Sequence, residues 1–247
     1  MYINAHEHLS HYPTLQDGLR PDQITLANTM NEEDFLSTYS MRGDTVFVGY
    51  GIHPWEVTEE TSLETIESFV KQADFIGEVG LDYLWAKDKK CYPKQREVFE
   101  HFVKLSKKHH KFLNIHTKDA EEDVLALLQK YPEATGIIHW YSGPLELVED
   151  FLNLGYYFTI SVDAGYSSLT DQLIDLVPLN RLLTETDGPG ALEWVNGQIG
   201  SPDYIPVIID YIAKRKGLSF NEVKEALYQN MVTLLKEYHL VNGPKNI

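Results

Sequence analysis

Six side chains with metal-binding chemistry recur at one kind of place in the sequence. His6 and His8 closely follow the apolar run Met1-Tyr-Ile3, His116 ends Lys111-Phe-Leu-Asn-Ile115, and His139 ends Gly136-Ile-Ile138. Glu78 follows Phe75-Ile-Gly77, and Asp187 follows Leu182-Leu-Thr-Glu-Thr186. His53 stands in the same way after Val46-Phe-Val48, so that five of the ten histidines share this position. Imidazole nitrogens and carboxylate oxygens together bind divalent cations such as Zn, Mn or Mg. Each residue alone has a plainer reading: a polar-loop histidine pair, a hydrogen-bonded core histidine, a salt-bridge acid, or turn chemistry at Asp187-Gly-Pro189. Their repetition at the ends of strand-like runs instead favours a metal site built from strand ends.

Spacing adds roles. In His6-Glu-His8 the two imidazoles are separated by two positions, which on a strand puts them on one side, facing one ion. Glu7 then points away and is structural. Glu78 lies in Ile76-Gly-Glu-Val-Gly-Leu-Asp-Tyr83, where Gly77 and Gly80 let other groups come close. Its two oxygens can bridge two ions about 3.5–4 Å apart. Asp187 can bind an ion and take a proton from an attacking water, and Glu185 shares its strand parity.

The elements that must position these residues alternate along the chain. Strand candidates are Tyr2–Ala5, Ile24–Asn28, Val46–Gly51, Phe75–Gly80, Phe112–His116, Thr135–His139, Tyr156–Val162 and Arg181–Glu185. Helical stretches lie between them: Asn31–Met41, Ser62–Gln72, Lys94–Lys108, Asp119–Gln129, Pro144–Leu154 and Ser167–Val177. Two more helices follow the last strand, Pro202–Lys216 closed by Gly217, and one opened by the capping box Ser219-Phe-Asn-Glu222 that reaches about Tyr238. Strand-helix alternation implies a parallel sheet. Eight repeats in 247 residues predict a single-domain (β/α)8 TIM barrel over residues 1–247, with a doubly wound open sheet as the alternative. No linker, low-complexity tract or internal repeat divides the chain.

Composition bounds the setting. Hydrophobic residues are 43% of the chain, enough for a large core. Cys91 is the single cysteine, so no intrachain disulfide forms and a reducing cytoplasm is expected. No signal-like N-terminus and no apolar run near the roughly 18 residues of a membrane span is present, so no membrane partner is expected. The net charge of −16, from 37 acids and 21 bases, argues against tight binding along duplex DNA. It is compatible with a nuclease that holds one phosphate by a metal pair and a few local cations.

On these residues the chain resembles the TatD family of metal-dependent deoxyribonucleases, amidohydrolase-like TIM barrels. The resemblance spans nearly the whole sequence: His6-Glu-His8, Gly51-Ile-His-Pro54, Ile76–Tyr83, Gln95 with Phe99, Ile115-His-Thr-Lys-Asp-Ala120, Ile138-His-Trp-Tyr-Ser-Gly143 and Glu185-Thr-Asp-Gly-Pro189. It implies that His6, His8 and Asp187 bind a first divalent ion, that His116 and His139 bind a second, and that Glu78 bridges them. It makes His53 a substrate-phosphate contact and Glu185 an acidic residue of the catalytic site. It implies a two-metal-activated water that cuts phosphodiesters of DNA, at ends or on single strands, in an exonuclease-like manner. Three departures stand out. Asn4 replaces an Asp of the family pattern. Lys118, which shares strand parity with His116 and is expected to contact phosphate, replaces an Arg and loses its bidentate geometry. The region from Tyr12 to Val46 is shorter than usual. Two other readings remain beside the DNase: a hydrolase of small esters, lactones or amides with the same metal site, and a barrel subunit of a defence or repair complex. Clustering of Lys87, Lys89, Lys90 and Lys118 beside the metals would favour DNA, and an apolar pocket a small molecule.

Overall fold

The computed structural model describes residues 1–86 and 88–241. Its eight strands are β1 (Tyr2–Glu7), β2 (Gln23–Ala27), β3 (Val46–Tyr50), β4 (Phe75–Asp82), β5 (Leu113–Lys118), β6 (Gly136–Ile138), β7 (Tyr157–Ile160) and β8 (Leu182–Thr184). They lie in sequence order, and each pairs in parallel with the next. That order is the barrel's and not the doubly wound sheet's, whose strand order reverses at a switch point. Three bonds draw β8 and the turn after it against β1: Thr184 Oγ1–H to the Ile3 carbonyl at 2.6 Å, Thr186 N–H to Asn4 Oδ1 at 3.0 Å, and Asp187 N–H to the His6 carbonyl at 3.0 Å. The fold is a (β/α)8 barrel.

The helices of the described residues are α1 (Glu32–Thr38), α2 (Ile66–Gln72), α3 (Tyr92–His109), α4 (Glu121–Leu128), α5 (Val148–Asn153), α6 (Ser168–Leu176), α7 (Ala191–Asn196), α8 (Ile205–Lys216) and α9 (Phe220–Glu237). Local chemistry sets several boundaries. The Asn31 side chain accepts from Asp34 N–H to start α1, Ser219 and Glu222 form the expected box at α9, and left-handed Gly217 ends α8. Two expectations change. The stretch from Pro144 to Leu154 divides into a 3-10 turn, Leu145–Leu147, and the short α5. The six-residue α7, too short to carry a periodic apolar pattern, precedes the two long helices after β8. None of these helices is long and apolar enough to cross a membrane.

Two packed layers result. Ile3, Ile24, Phe47, Phe75, Ile137 and Leu183 are each the first or second residue of a strand, and they meet in one buried cluster with Phe112 just before β5. Side chains from non-adjacent strands meet only inside the barrel, so this cluster fills its N-terminal end. Met231, Leu234 and Leu235 of α9 join the cluster and close that end. The other layer lies between strands and helices, with Val98, Phe102 and Val103 of α3 among its fully buried members. With the bottom packed, polar side chains gather at the other end, where the strands finish.

Candidate metal centre

Every ligand candidate reaches that C-terminal end. His6, His8, Glu78, His116 and His139 are buried there, and Asp187 is partly exposed. Two irregularities help aim them. The β1–β2 register shifts between Asn4 and Glu7, and the β4–β5 register shifts between Ile76 and Val79, so each shift falls beside a site residue. Gly77 is required for close packing, since a Cβ there would lie 2.7 Å from Cβ of Asn114 and 2.6 Å from Oδ1 of Asn28. Gly80 has φ +149°, and a Cβ on it would strike the His116 carbonyl.

The two oxygens of Glu78 face different sets of nitrogens. Oε2 lies 3.3 Å from His6 Nε2 and 3.2 Å from His8 Nε2. Oε1 lies 2.8 Å from His116 Nδ1, 3.1 Å from His139 Nε2 and 3.2 Å from His53 Nε2. Asp187 Oδ1 completes the first set, 3.7 Å from His6 Nε2 and 3.4 Å from His8 Nε2. The two nitrogens of that set are 3.1 Å apart. Four ligands about 2.0–2.2 Å from a central ion stand about 3.4 Å from one another in a tetrahedron. The donor set therefore fits a divalent cation in both chemistry and spacing.

The groups behind the rings fix which nitrogen faces inward. Asn114 donates its Nδ2–H to the Ala5 carbonyl, which leaves its Oδ1 to accept from His6 Nδ1 at 3.0 Å. Asp82 Oδ2 takes His116 Nε2 at 2.9 Å, and Glu185 takes His139 Nδ1 at 3.2 Å. Each of these acceptors holds a proton on the outer nitrogen and leaves the inner one with a free lone pair, as a metal ligand requires. His53 is the reverse. Its Nδ1 accepts from Trp55 N–H at 3.1 Å, so a neutral ring carries its proton on the inward Nε2. Proximity alone would group His53 with Glu78 and His116 as ligands, and Glu185 with His6 and His139. The tautomer makes His53 a donor, and Glu185 is fully buried behind His139 rather than open to the cleft.

The charges follow. Burial by itself would raise the Glu78 carboxyl, but His53, His6, His139 and the His116 hydrogen bond hold it well below its ordinary range. Asp187 is likewise held low against its burial by the His8 hydrogen bond and by His6 and His139. Burial opposes charge on His139, yet Glu185 and Glu78 push it up to about 10. Asp187 and Glu78 raise His8 well above its usual value, also against burial. For His53 burial wins over Glu78 and lowers it to about 4, in keeping with a neutral donor. Protons on His8 and His139 stand where a cation's charge would act, so cation uptake displaces protons.

A cleft of about 480 Å³ opens over these groups. Lys118 is the one lysine lining it among the described residues; Lys89 and Lys90 sit on the turn Lys89–Cys91 outside it, and Lys87 lies outside the described residues. Lys118 Nζ donates to the Trp140 carbonyl at 2.7 Å and to Ser142 Oγ at 3.0 Å, and lies 5.3 Å from the Trp140 ring centre. Burial lowers its pKa. The rim is therefore aromatic more than basic. Sequence reasoning missed Asp82 and Asn114, which orient His116 and His6, and Trp55, Trp85, Trp140 and Trp194, which line the cleft. A signal for the tryptophans existed: each follows a strand-end site residue, namely His53, Glu78, His139 and Asp187.

Comparison with known proteins identifies the family. The family model for TatD-related DNases matches residues 20–236. The chain belongs to the TatD-related DNase family. Human deoxyribonuclease TATDN3 is 30% identical over 185 residues, 74% of this chain and 67% of that protein. The metal-dependent hydrolase YcfH of Escherichia coli K12 is 29% identical over 77% of this chain and 74% of its own. Among solved structures, the TatD homologue YJJV of Escherichia coli K12 superposes with a TM-score of 0.79 at 22% identity, covering 94% of this chain and 97% of that one, a likeness of fold. This TatD-family barrel is a metal-dependent hydrolase.

Proposed function

We propose that this TatD-family chain hydrolyses phosphodiesters of DNA, at ends or on single strands, with two divalent ions. The observation that carries the proposal is the division of the Glu78 oxygens between two sets of ring nitrogens. His6, His8, Asp187 and Glu78 Oε2 would hold one ion, and His116, His139 and Glu78 Oε1 the other. Zn, Mn and Mg all suit such ligands. Bound there, the ions would polarise a phosphoryl oxygen and acidify an attacking water. Asp187 is the candidate ligand carboxylate partly open to the cleft, at 14% exposure, and would accept the proton of an attacking water. His53 Nε2–H donates to a phosphate oxygen. Lys118, at the end of β5, neutralises a second one. Glu185, Asp82 and Asn114 hold His139, His116 and His6 in the required tautomers. The human relative's name, a deoxyribonuclease, supports DNA as substrate.

The aromatic rim, with Lys118 its single lysine among the described residues, favours a second reading, hydrolysis of a small ester, lactone or amide at the same centre. One assay separates the two. Labelled single-stranded, frayed and duplex oligonucleotides are incubated with Mg, Mn or Zn beside a panel of small esters and lactones. Chelator-sensitive release of nucleotides from ends is expected. Turnover of the ester panel with every oligonucleotide intact would replace the first reading by the second.

A further inference from the structure

All four tryptophans of the chain line the one cleft above the ligand set. They come from four separate connections, after β3 (Trp55), β4 (Trp85), β6 (Trp140) and β8 (Trp194). Tryptophan is mostly buried in folded proteins, yet Trp55, Trp85 and Trp194 are 42, 63 and 70% exposed. They are nonetheless held in place. Trp55 Nε1–H donates to Asp82 Oδ2 at 2.6 Å, and Asp82 Oδ1 accepts from Trp85 N–H at 2.6 Å. The carboxylate that orients His116 therefore also fixes the Trp55 indole and the backbone that carries Trp85. Trp140 and Trp194 lie nearly parallel, 20° apart with ring centres 6.5 Å from each other. Trp140 has φ +34°, a backbone state a bulky side chain rarely adopts without cause.

Trp55, Trp85 and Trp194 also wall a second cleft of about 1280 Å³ beside the first. The site cleft alone has the size of a small-ligand pocket. The shared tryptophan wall lets a longer substrate continue outward. Charge limits what that substrate is. Glu59, Glu60 and Asp88 line the second cleft, so a long phosphate backbone is not drawn along it. Affinity there must come from aromatic faces rather than from phosphate contacts. Bases in a duplex are stacked on each other, while those of a single strand or frayed end present free faces.

Taking the phosphodiesterase reading as its premise, we propose that Trp55, Trp85, Trp140 and Trp194 form a stacking platform that binds the nucleobases next to the scissile phosphate of a single-stranded end. One or two bases lie against the indoles, and the sugar-phosphate backbone lies on the solvent side, away from Glu59 and Glu60. The platform takes the place of a basic track, which the described lining of the two clefts does not supply, and every base fits it because every base has a π face.

Because every tryptophan is at the cleft, intrinsic fluorescence reads occupancy directly. The metal-loaded protein is titrated with deoxyadenosine monophosphate, with deoxyribose 5-phosphate and with a phosphate-free aromatic ester, and oligonucleotide cleavage is measured in parallel. Saturable quenching by the nucleotide is expected, with affinity about tenfold or more above that of the base-free sugar phosphate. Trp85→Ala and Trp194→Ala should each weaken nucleotide binding about tenfold and raise KM for a single-stranded oligonucleotide, while Trp85→Phe keeps a π face and restores much of the loss. Equal binding of the base-free sugar phosphate, or unchanged nucleotide affinity in both alanine variants, would overturn the platform. Quenching by the aromatic ester at lower concentration than by the nucleotide would overturn it in favour of a small aromatic substrate. Base-dependent quenching without any oligonucleotide cleavage supports the platform and removes only the phosphodiesterase reading. Cleavage without base-dependent quenching removes only the platform.

Discussion

The two oxygens of Glu78 each serve a separate cluster of imidazoles, so one side chain joins both halves of the centre. Glu78→Gln keeps the shape and removes the charge that lets two cations sit close together. The expected outcome is loss of bound metal and a fall in activity greater than about a hundredfold, since groups one step further from a metal already cost about 10- to 100-fold. Metal analysis beside circular dichroism checks this, and full metal content with parental turnover would exclude the bridging role. Asp82 belongs to that outer tier. Its Oδ2 receives both His116 Nε2 and Trp55 Nε1, and its Oδ1 three backbone N–H groups, from Leu84, Trp85 and Ala86. Asp82→Asn should cost about 10- to 100-fold in metal affinity or kcat/KM. It should also shift the tryptophan emission, because the same oxygens hold Trp55 and Trp85. Unchanged emission with reduced metal affinity would confine Asp82 to His116. The candidate ligands were legible in the sequence because each ends or closely follows an apolar, strand-like run. Asp82 stood within the quoted Glu78 segment, but its partners Trp55 and His116 lie 27 and 34 positions away, and no local pattern announces such a meeting.

The seam between β1 and β8 shows how an element can carry a departure from the family pattern. Asn4 Oδ1 accepts from Thr186 N–H, its Nδ2–H donates to Glu7 Oε2 at 2.5 Å, and Glu7 also accepts from Thr186 Oγ1 and from Tyr12 OH at 3.0 Å. An Asp at position 4 would set a second carboxylate against Glu7, so the Asn and the Glu belong together. Glu7 turns away from the ligand set, as its parity with respect to His6 and His8 implies. The register shift beside it was not legible, since a bulge leaves no mark on a short apolar run. The order of eight strands was legible from alternation. The three-residue lengths of β6 and β8, and the existence of α7, depend on packing that no local pattern encodes. The seam also titrates. Burial raises Glu7 from its ordinary 4.5 to about 7, against three hydrogen bonds that lower it. The folded chain then binds this proton more tightly than the unfolded chain. Its contribution to stability is full below about pH 4.5 and declines as pH rises to about 7, by about 3 kcal/mol in all. Glu7→Gln can keep the seam, with its oxygen accepting from Asn4 and Thr186 and its amide donating to Tyr12. The variant should match the parent near pH 4.5 and exceed it at pH 8 by up to that amount. Denaturant unfolding at both pH values measures this; a variant less stable at pH 8 would mean that the ionised carboxylate is the favoured partner.

At the scale of the whole molecule, a charge of −16 surrounds a centre that we propose acts on a polyanion. The barrel concentrates the positive side of the problem at one rim: the ligand set, the neutral donor His53, and Lys118 as the single lysine of the cleft among the described residues. Elsewhere many lysines and arginines of the described surface sit in ion pairs, such as Lys107 with Glu133, Lys108 with Glu67 and Arg215 with Asp171 and Asp175. Among the described residues, a strand leaving the rim meets no further lysine or arginine lining either cleft. For single strands, the logarithm of affinity falls with the logarithm of salt by about 0.7 for each phosphate neutralised. Two contacts, the scissile phosphate and one at Lys118, predict that kcat/KM on a single-stranded oligonucleotide falls by less than about tenfold between 50 and 200 mM salt. A nuclease with six or more phosphate contacts on a single strand would lose about three hundredfold or more over the same range. Stacking on the rim tryptophans is insensitive to salt and sustains binding where charge does not. Duplex substrates should be cut poorly at every salt concentration, because their bases are unavailable and the acidic surface repels them. A steady-state salt titration on single-stranded and duplex forms of one sequence decides the matter: a hundredfold loss on the single strand would require a phosphate-binding track that the described residues of the rim do not form.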